Sequence, residues 1–424
     1  MRTTLERWTI FVLVFLASGA GVGLYVGARA ASTKNSAGGD APLQLCFGLL
    51  YLLIFAWLLP HRKRATALLF QERWLSVLLI FALASTFWSV DVSETFRKSL
   101  GLVATTVAGL FIGMRYEPKQ QLRILAASVG IGAVASLIVG LLLPGVGVMA
   151  DGGWQGVYYL KNALARMMTL GVVCFAFLAI SQRRYRYISV SMAALCGLLV
   201  VLAKSATGAV VCAAMIVLLM VRGVLHWPKR RLAAVSVLLL MVMLLAGVVA
   251  WNSQSAILSA LGRDASLTGR LPLWHMVKLE ILDRPALGSG YASFWTTPQA
   301  DRFRDTLGWD APNAHDGFLD MALGLGFVGL TIFAIGVISN LGRGVLAARL
   351  DRGIENEWPL FFLIFCLLYN LTESTLFTGN SVFWLLYSAN AYWLVEGLPA
   401  RQSLEKTEHA TASLSELAEW RAAE

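Results

Sequence analysis

Few side chains in this 424-residue chain could act as a base or grip an anion. The histidines are His61, His226, His275, His315 and His409. His315 follows Pro312-Asn313-Ala314 and precedes Asp316 and an apolar run that opens at Gly317. An imidazole at such a junction can be a neutral general base near pH 7. It can equally be an interfacial histidine that caps a helix. Arg270 follows Thr268-Gly269, where the glycine frees the backbone to turn. Its planar guanidinium can hold phosphate with two parallel hydrogen bonds, or simply snorkel to water. Lys204 ends an apolar run and is followed by Ser205, Thr207 and Gly208, while Lys161 and Arg166 flank a second such end. Together these cations could line a pocket for an anion; taken singly, each could be snorkelling. With no H-E-x-x-H and no carboxylate cluster beside His275 and His315, the histidines argue against a zinc site.

Such residues must be positioned by something, and composition says what. Soluble domains carry roughly 25% charged residues. Here 14% are charged and 57% hydrophobic, the balance of a polytopic, all-α membrane protein. A hydrocarbon core of ~30 Å needs about 20 apolar helical residues, and about twelve such spans are expected. They fall near 9–28, 42–60, 74–90, 99–114, 124–143, 163–180, 188–203, 207–225, 232–251, 317–340, 358–371 and 380–397. The first is long enough to span and has no clear A-x-A site, so it reads as a signal anchor. The five cysteines all lie in apolar runs without C-x-x-C spacing and read as small buried hydrophobes.

Basic residues orient the spans. With the N-terminus inside, Arg62-Lys63-Arg64, Arg115 to Arg123, Arg183 to Arg186, Arg222 to Arg231 and Arg343 to Arg352 all fall in cytoplasmic loops. The net charge of +10 sits mostly in these loops, which accounts for it without nucleic acid. Residues 1–400 form one transmembrane domain on this reading, and 401–424 a polar cytoplasmic tail. Residues 252–316 become the one long outer loop. Within it Leu273, Val277 and Ile281 recur at helical spacing, which predicts a helix lying along the membrane surface. Gly288 and Gly290 allow a tight turn after Arg284-Pro285. His61, His226 and His409 face inward, and only His275 and His315 face outward. Lys204, Lys161 and Arg166 lie at outer ends, against the positive-inside bias.

In this order the motifs resemble the O-antigen ligase and polymerase superfamily of bacterial membrane glycosyltransferases, including its exopolysaccharide-polymerase branch. The resemblance rests on Tyr158-x-x-Lys161-Asn162-x-x-Ala165, Ser205-x-Thr207-Gly208 and Thr268-Gly269-Arg270-x-Pro272-Leu273-Trp274. It continues in Pro285-x-x-Gly288-x-Gly290 and in His315-Asp316 followed by Gly326 and Gly329. In that family an amide usually follows the histidine and an arginine is common where Lys204 stands. Asp316 therefore becomes a candidate to orient His315 or to share its role.

The resemblance implies a GT-C-like, metal-independent and inverting glycosyltransferase of the bacterial inner membrane, without cofactor, its site facing the periplasm. The donor would be a glycan on undecaprenyl diphosphate, and the acceptor a sugar hydroxyl of a second glycan or of lipid A–core. His315 would take the hydroxyl proton. Arg270, with Lys204, Lys161 and Arg166, would hold the diphosphate. Gly326 and Gly329 would let helices pack closely behind the histidine. Polymerisation is favoured by the form of the Arg270 and His315 motifs, with ligation to lipid A–core as the alternative. A lipid-glycan transporter is the reading from another class. Transporters place polar or broken-helix sites at mid-membrane, often in repeated halves, and this sequence has neither a mid-span charge nor a clear repeat.

Overall fold

The computed structural model describes residues 2–21, 41–228, 230–231, 270–350 and 353–398. The ninth expected span (232–251), the loop start with Thr268 and Gly269, and the tail 401–424 lie outside the described residues. Within them the architecture is helical, apart from an isolated antiparallel bridge between Val148 and Trp154. Seven helical stretches are long and apolar enough to cross a bilayer: Pro42–Gln71, Val92–Arg115, Pro118–Leu142, Lys161–Ser181, Arg183–Leu202, Ala206–His226 and Gly317–Leu350. Each falls on one of the expected spans. Shorter apolar helices at Arg2–Ala17, Arg73–Trp88, Trp358–Asn370 and 382–398 fall on four more. This is the helix set of a polytopic membrane protein.

Local sequence sets the helix ends. Asp91 accepts a hydrogen bond from the Glu94 amide (3.0 Å) to start Val92–Arg115. Ser205 does the same for the Gly208 amide (3.3 Å) at the start of Ala206–Val221. Such caps satisfy amides that the first helical turn leaves without a partner. Large apolar side chains cover the outside of the bundle, among them Leu52, Leu142, Val201, Val210 and Ile338. In water they would be a hydrophobic liability; against acyl chains they are the expected surface. Cys46 is also exposed, unlike the other four cysteines, so its expected burial does not hold.

The helices that position the site are labelled α1 (Lys161–Ser181), α2 (Ala206–Val221), α3 (Arg270–Asp283), α4 (Gly317–Leu350) and α5 (Trp358–Asn370). α1 and α5 lie in the core, where Phe177 meets Trp358 and Phe361 with ring centroids 5.7 and 5.2 Å apart. α5 has 13 residues. At 1.5 Å per residue it covers only about 20 Å, short of a bilayer core. The non-helical segment 371–381 follows it, with Thr375, Leu376 and Phe377 buried in protein. Non-helical backbone at membrane depth is tolerated only under such cover.

α4 is broken at Gly326, where φ is 64° and ψ −171°. The break interrupts its hydrogen-bond ladder, and the loop Pro285–Gly290 repairs it. Ser289 and Gly290 donate to the carbonyls of Leu323 and Gly324, each at 2.9 Å. In return Phe327 donates to Pro285 O at 2.8 Å and Val328 to Ala286 O at 3.2 Å. A Cβ on Gly326 would lie 2.2 Å from Ala286 O, and one on Gly288 2.6 Å from the Gly324 backbone. The two glycine motifs are thus the halves of one backbone joint. The expected helix–helix packing at Gly326 is replaced by loop-to-helix docking. Gly329 makes room for Leu325, whose Cβ would be 2.3 Å from an added one.

α3 buries Leu273, Val277 and Ile281 against Phe294, Phe303, Ala322 and Leu323. The stripe expected to face the membrane therefore packs on the start of α4 and on the helix Pro298–Leu307. Spacing of i, i+4, i+8 announces an apolar partner without saying whether it is lipid or protein.

Candidate active site

The centre of the site is Glu373, which no sequence motif singles out. It stands in the segment after α5 and is 8% exposed. Four groups from three helix starts converge on it. Arg270, first residue of α3, donates from Nη2 to Glu373 Oε1 at 3.0 Å and from Nη1 to Thr372 O at 2.8 Å. Asn162, second residue of α1, donates to the same Oε1 at 3.1 Å. His315, just before α4, places Nδ1 3.3 Å from Oε2. Arg166, one turn into α1, adds its positive field. Burial alone would raise the Glu373 pKa. The hydrogen bond with His315 and the charges of Arg166 and Arg270 outweigh it, and the pKa is lowered. Glu373 is therefore an anion at neutral pH.

His315 is held on all sides. Its φ is 50°, in the left-handed region that a non-glycine residue adopts only under constraint. Lys204 has the same feature, with φ 51°. The His315 amide donates to Asn313 Oδ1 at 2.9 Å. Trp309 lies with its ring centroid 5.7 Å from the imidazole. Trp274, which closes the Arg270 motif, donates from Nε1 to Ala314 O at 2.8 Å, and so ties α3 to the turn that carries His315.

Asp320 ties the same turn to Glu373. Its Oδ1 accepts from Ala314 N at 3.1 Å and from Trp295 Nε1 at 2.8 Å, and its Oδ2 accepts from the Ser374 hydroxyl. One carboxylate thus joins the residue before His315 to the residue after Glu373. Asp316 is placed differently from its expected role. Its Oδ1 accepts from the amides of Phe318 (2.9 Å) and Leu319 (3.0 Å), so it is the N-cap of α4. Burial raises its pKa, opposed by those two amides and by Lys278. The carboxylate against His315 is that of Glu373.

The other expected cations divide into two groups. Arg166 stays with Glu373, its guanidinium 5.0 Å from the Phe383 ring and its Nε without a hydrogen-bond partner. Lys161 turns away and pairs with Asp151. Lys204 reaches the same loop, where a Cβ on Gly152 would lie 2.8 Å from its Nζ. The hydrogen bond from Lys161, the Gly153 amide and the charges of Lys161 and Lys204 lower the Asp151 pKa. Gly269 lies outside the described residues, and His275 is exposed on α3.

This arrangement can do base chemistry beside an anion. An ionised carboxylate at Nδ1 holds the imidazole as its Nδ1–H tautomer, leaving Nε2 to accept a proton. The starts of α1, α3 and α4 add helix-dipole charge of the sign that favours anions. Glu373 and Asp320 escaped the sequence reading because each is a single carboxylate in an apolar neighbourhood. The available signal was a carboxylate at the expected outer end of a span, the side on which the unexplained cations are expected to gather.

Comparison with known proteins gives the chain's relatives. Residues 191–334 match the family model for O-antigen ligase, a range that holds Lys204, Arg270, the glycine joint and His315 but neither Arg166 nor Glu373. Exopolysaccharide production protein ExoQ of Rhizobium meliloti (strain 1021) is 26% identical over 312 residues, 70% of either chain. The chain is thus similar, in an O-antigen ligase domain and along most of its length, to the O-antigen ligase and polymerase superfamily, and within it to ExoQ.

Proposed function

We propose that this protein is a glycosyltransferase of the bacterial inner membrane that works at the periplasmic face. It moves a glycan from undecaprenyl diphosphate to a sugar hydroxyl, and by this polymerises O-antigen or exopolysaccharide units. The observation that carries the reading is the His315–Glu373–Arg270 cluster at the convergence of helix starts. His315 Nε2 removes the acceptor hydroxyl proton. The oxygen attacks the anomeric carbon from the side opposite the diphosphate, so the configuration inverts. The bond to the leaving oxygen breaks, and its electron pair stays on the lipid diphosphate. Arg270 and Arg166 stabilise that charge without a metal, while Lys161 and Lys204 stay at the Asp151 loop. Preorganised cations in a site of low dielectric can lower such a barrier by several kcal/mol.

Similarity to an exopolysaccharide production protein supports the polymerase form, and the O-antigen ligase match supports the alternative, ligation to lipid A–core. Surface glycan from a deletion strain, resolved on a gel, separates them. Loss of long polymer with single units still attached is the polymerase result. Free polymer beside a bare core is the ligase result, and an unchanged glycan pattern overturns both. The facing is tested separately with a reporter active only in the periplasm. It should be active when fused after Ser259 and silent after Arg230; the reverse pattern would put the site on the wrong side of the membrane.

A further inference from the structure

A cavity of about 650 Å³ lies beside the cluster described above and is not used by it. It runs between the helices Ala41–Leu58 and Val92–Arg115 on one side and the first turns of α4 on the other. Its volume is in the usual range for a small-ligand site. Asn313 and Gly317, which bracket His315, and Ser374, which follows Glu373, are part of its wall. Arg270, Arg166, Lys161, Lys204 and the His315 and Glu373 side chains themselves are not. Arg270 and Arg166 and the cavity therefore approach the histidine turn from different sides.

The lining is mixed in a particular way. Tyr291, Trp295 and Phe377 supply rings, Gln44, Asn313 and Asn380 supply amides, and Arg97 and Lys98 stand on the wall paired with Glu94. A polyprenyl chain would call for apolar walls throughout. A sugar ring, with apolar C–H faces and a rim of hydroxyls, matches rings and amides together. We propose that this cavity seats the acceptor carbohydrate, against the turn Asn313–Gly317 that carries His315. The proposal rests on the transferase reading and adds the place of its second substrate.

Two glycines make it testable. Gly48 and Gly101 line the cavity from its two outer helices, and a Cβ on either meets no atom within 4 Å. Neither has a positive φ. Gly101→Phe and Gly48→Phe should therefore fill the cavity from separate walls without straining the backbone. The full-length protein in detergent is dialysed against two probes. One is the repeat-unit oligosaccharide released from the producing bacterium's own surface polysaccharide, and the other is undecaprenyl diphosphate without sugar.

The expected result is oligosaccharide binding weakened about tenfold or more in both filled variants, with undecaprenyl diphosphate binding unchanged. Arg270→Ala should show the opposite pattern. Wild-type oligosaccharide affinity in both filled variants overturns the proposal. So does loss of undecaprenyl diphosphate binding alone, which would give the cavity to the carrier lipid. A wild-type protein that binds only undecaprenyl diphosphate overturns the acceptor site and leaves the transferase reading standing. One that binds only the oligosaccharide, through this cavity, overturns the transferase reading and leaves the acceptor site standing.

Discussion

His315→Ala is expected to lower transfer by roughly 10²-fold or more in a purified assay, while the protein remains folded and inserted. General-base help is typically worth ~10²–10⁴-fold, and among the described residues no second imidazole pairs with Glu373. His275 is exposed on α3, away from Glu373, so His275→Ala should keep most activity. The fold should survive, because the turn is fixed mainly by other groups. Ala314 is held by Trp274 and Asp320, and the His315 amide by Asn313. Near-wild-type transfer by His315→Ala would show the histidine to be structural. If Asp316→Asn were then inactive, Asp316 would be the base. The geometry points the other way: Asp316 caps α4, and an asparagine accepts the same two amides, so Asp316→Asn should be mild.

Glu373→Gln is the second large effect. The substitution keeps the shape and removes the charge that holds His315 as one tautomer and faces Arg270. A loss of roughly 10- to 100-fold is expected, the range seen when a carboxylate behind a functional histidine is removed. Glu373 acts through His315 and Arg270, which makes it a positioning residue. The loss should therefore appear in kcat more than in KM, and Glu373→Asp should recover part of it. Equal losses with Asp and Gln, confined to KM, would reduce Glu373 to a structural contact.

Its titration gives an independent readout. The folded pKa lies below the ordinary glutamate value of 4.5. A depressed carboxylate stabilises the fold fully above the unfolded pKa, and the benefit is lost as pH falls through the folded one. The difference in Tm between wild type and Glu373→Gln should thus be steady above about pH 4.5 and narrow below it. A gap that widens on acidification would contradict the lowered pKa.

The amino-acid sequence by itself determined the membrane class, the run of apolar helices and the identity of His315 and Arg270 as residues worth following. These are properties of composition and short spacing: a span needs only about 20 apolar residues in a row. The glycine motifs were equally visible, but not their purpose. That Gly288 and Gly326 meet at one joint depends on a loop docking into a broken helix thirty-eight residues away along the chain. The stripe on α3 was legible and its partner was not, since a helix face carries the same spacing against lipid as against protein.

What only the tertiary structure decided is which carboxylate serves the histidine. Asp316 is its chain neighbour, yet at the start of α4 its carboxylate points to the free amides of its own helix. Glu373 stands 58 residues from His315 and 103 from Arg270, and reaches both. It does so because α5 is too short to cross the bilayer, so the segment after it lies among the starts of α1, α3 and α4. Sequence spacing registers neighbours within a helical turn or two. A contact made by packing one helix start against the end of another leaves no period to read.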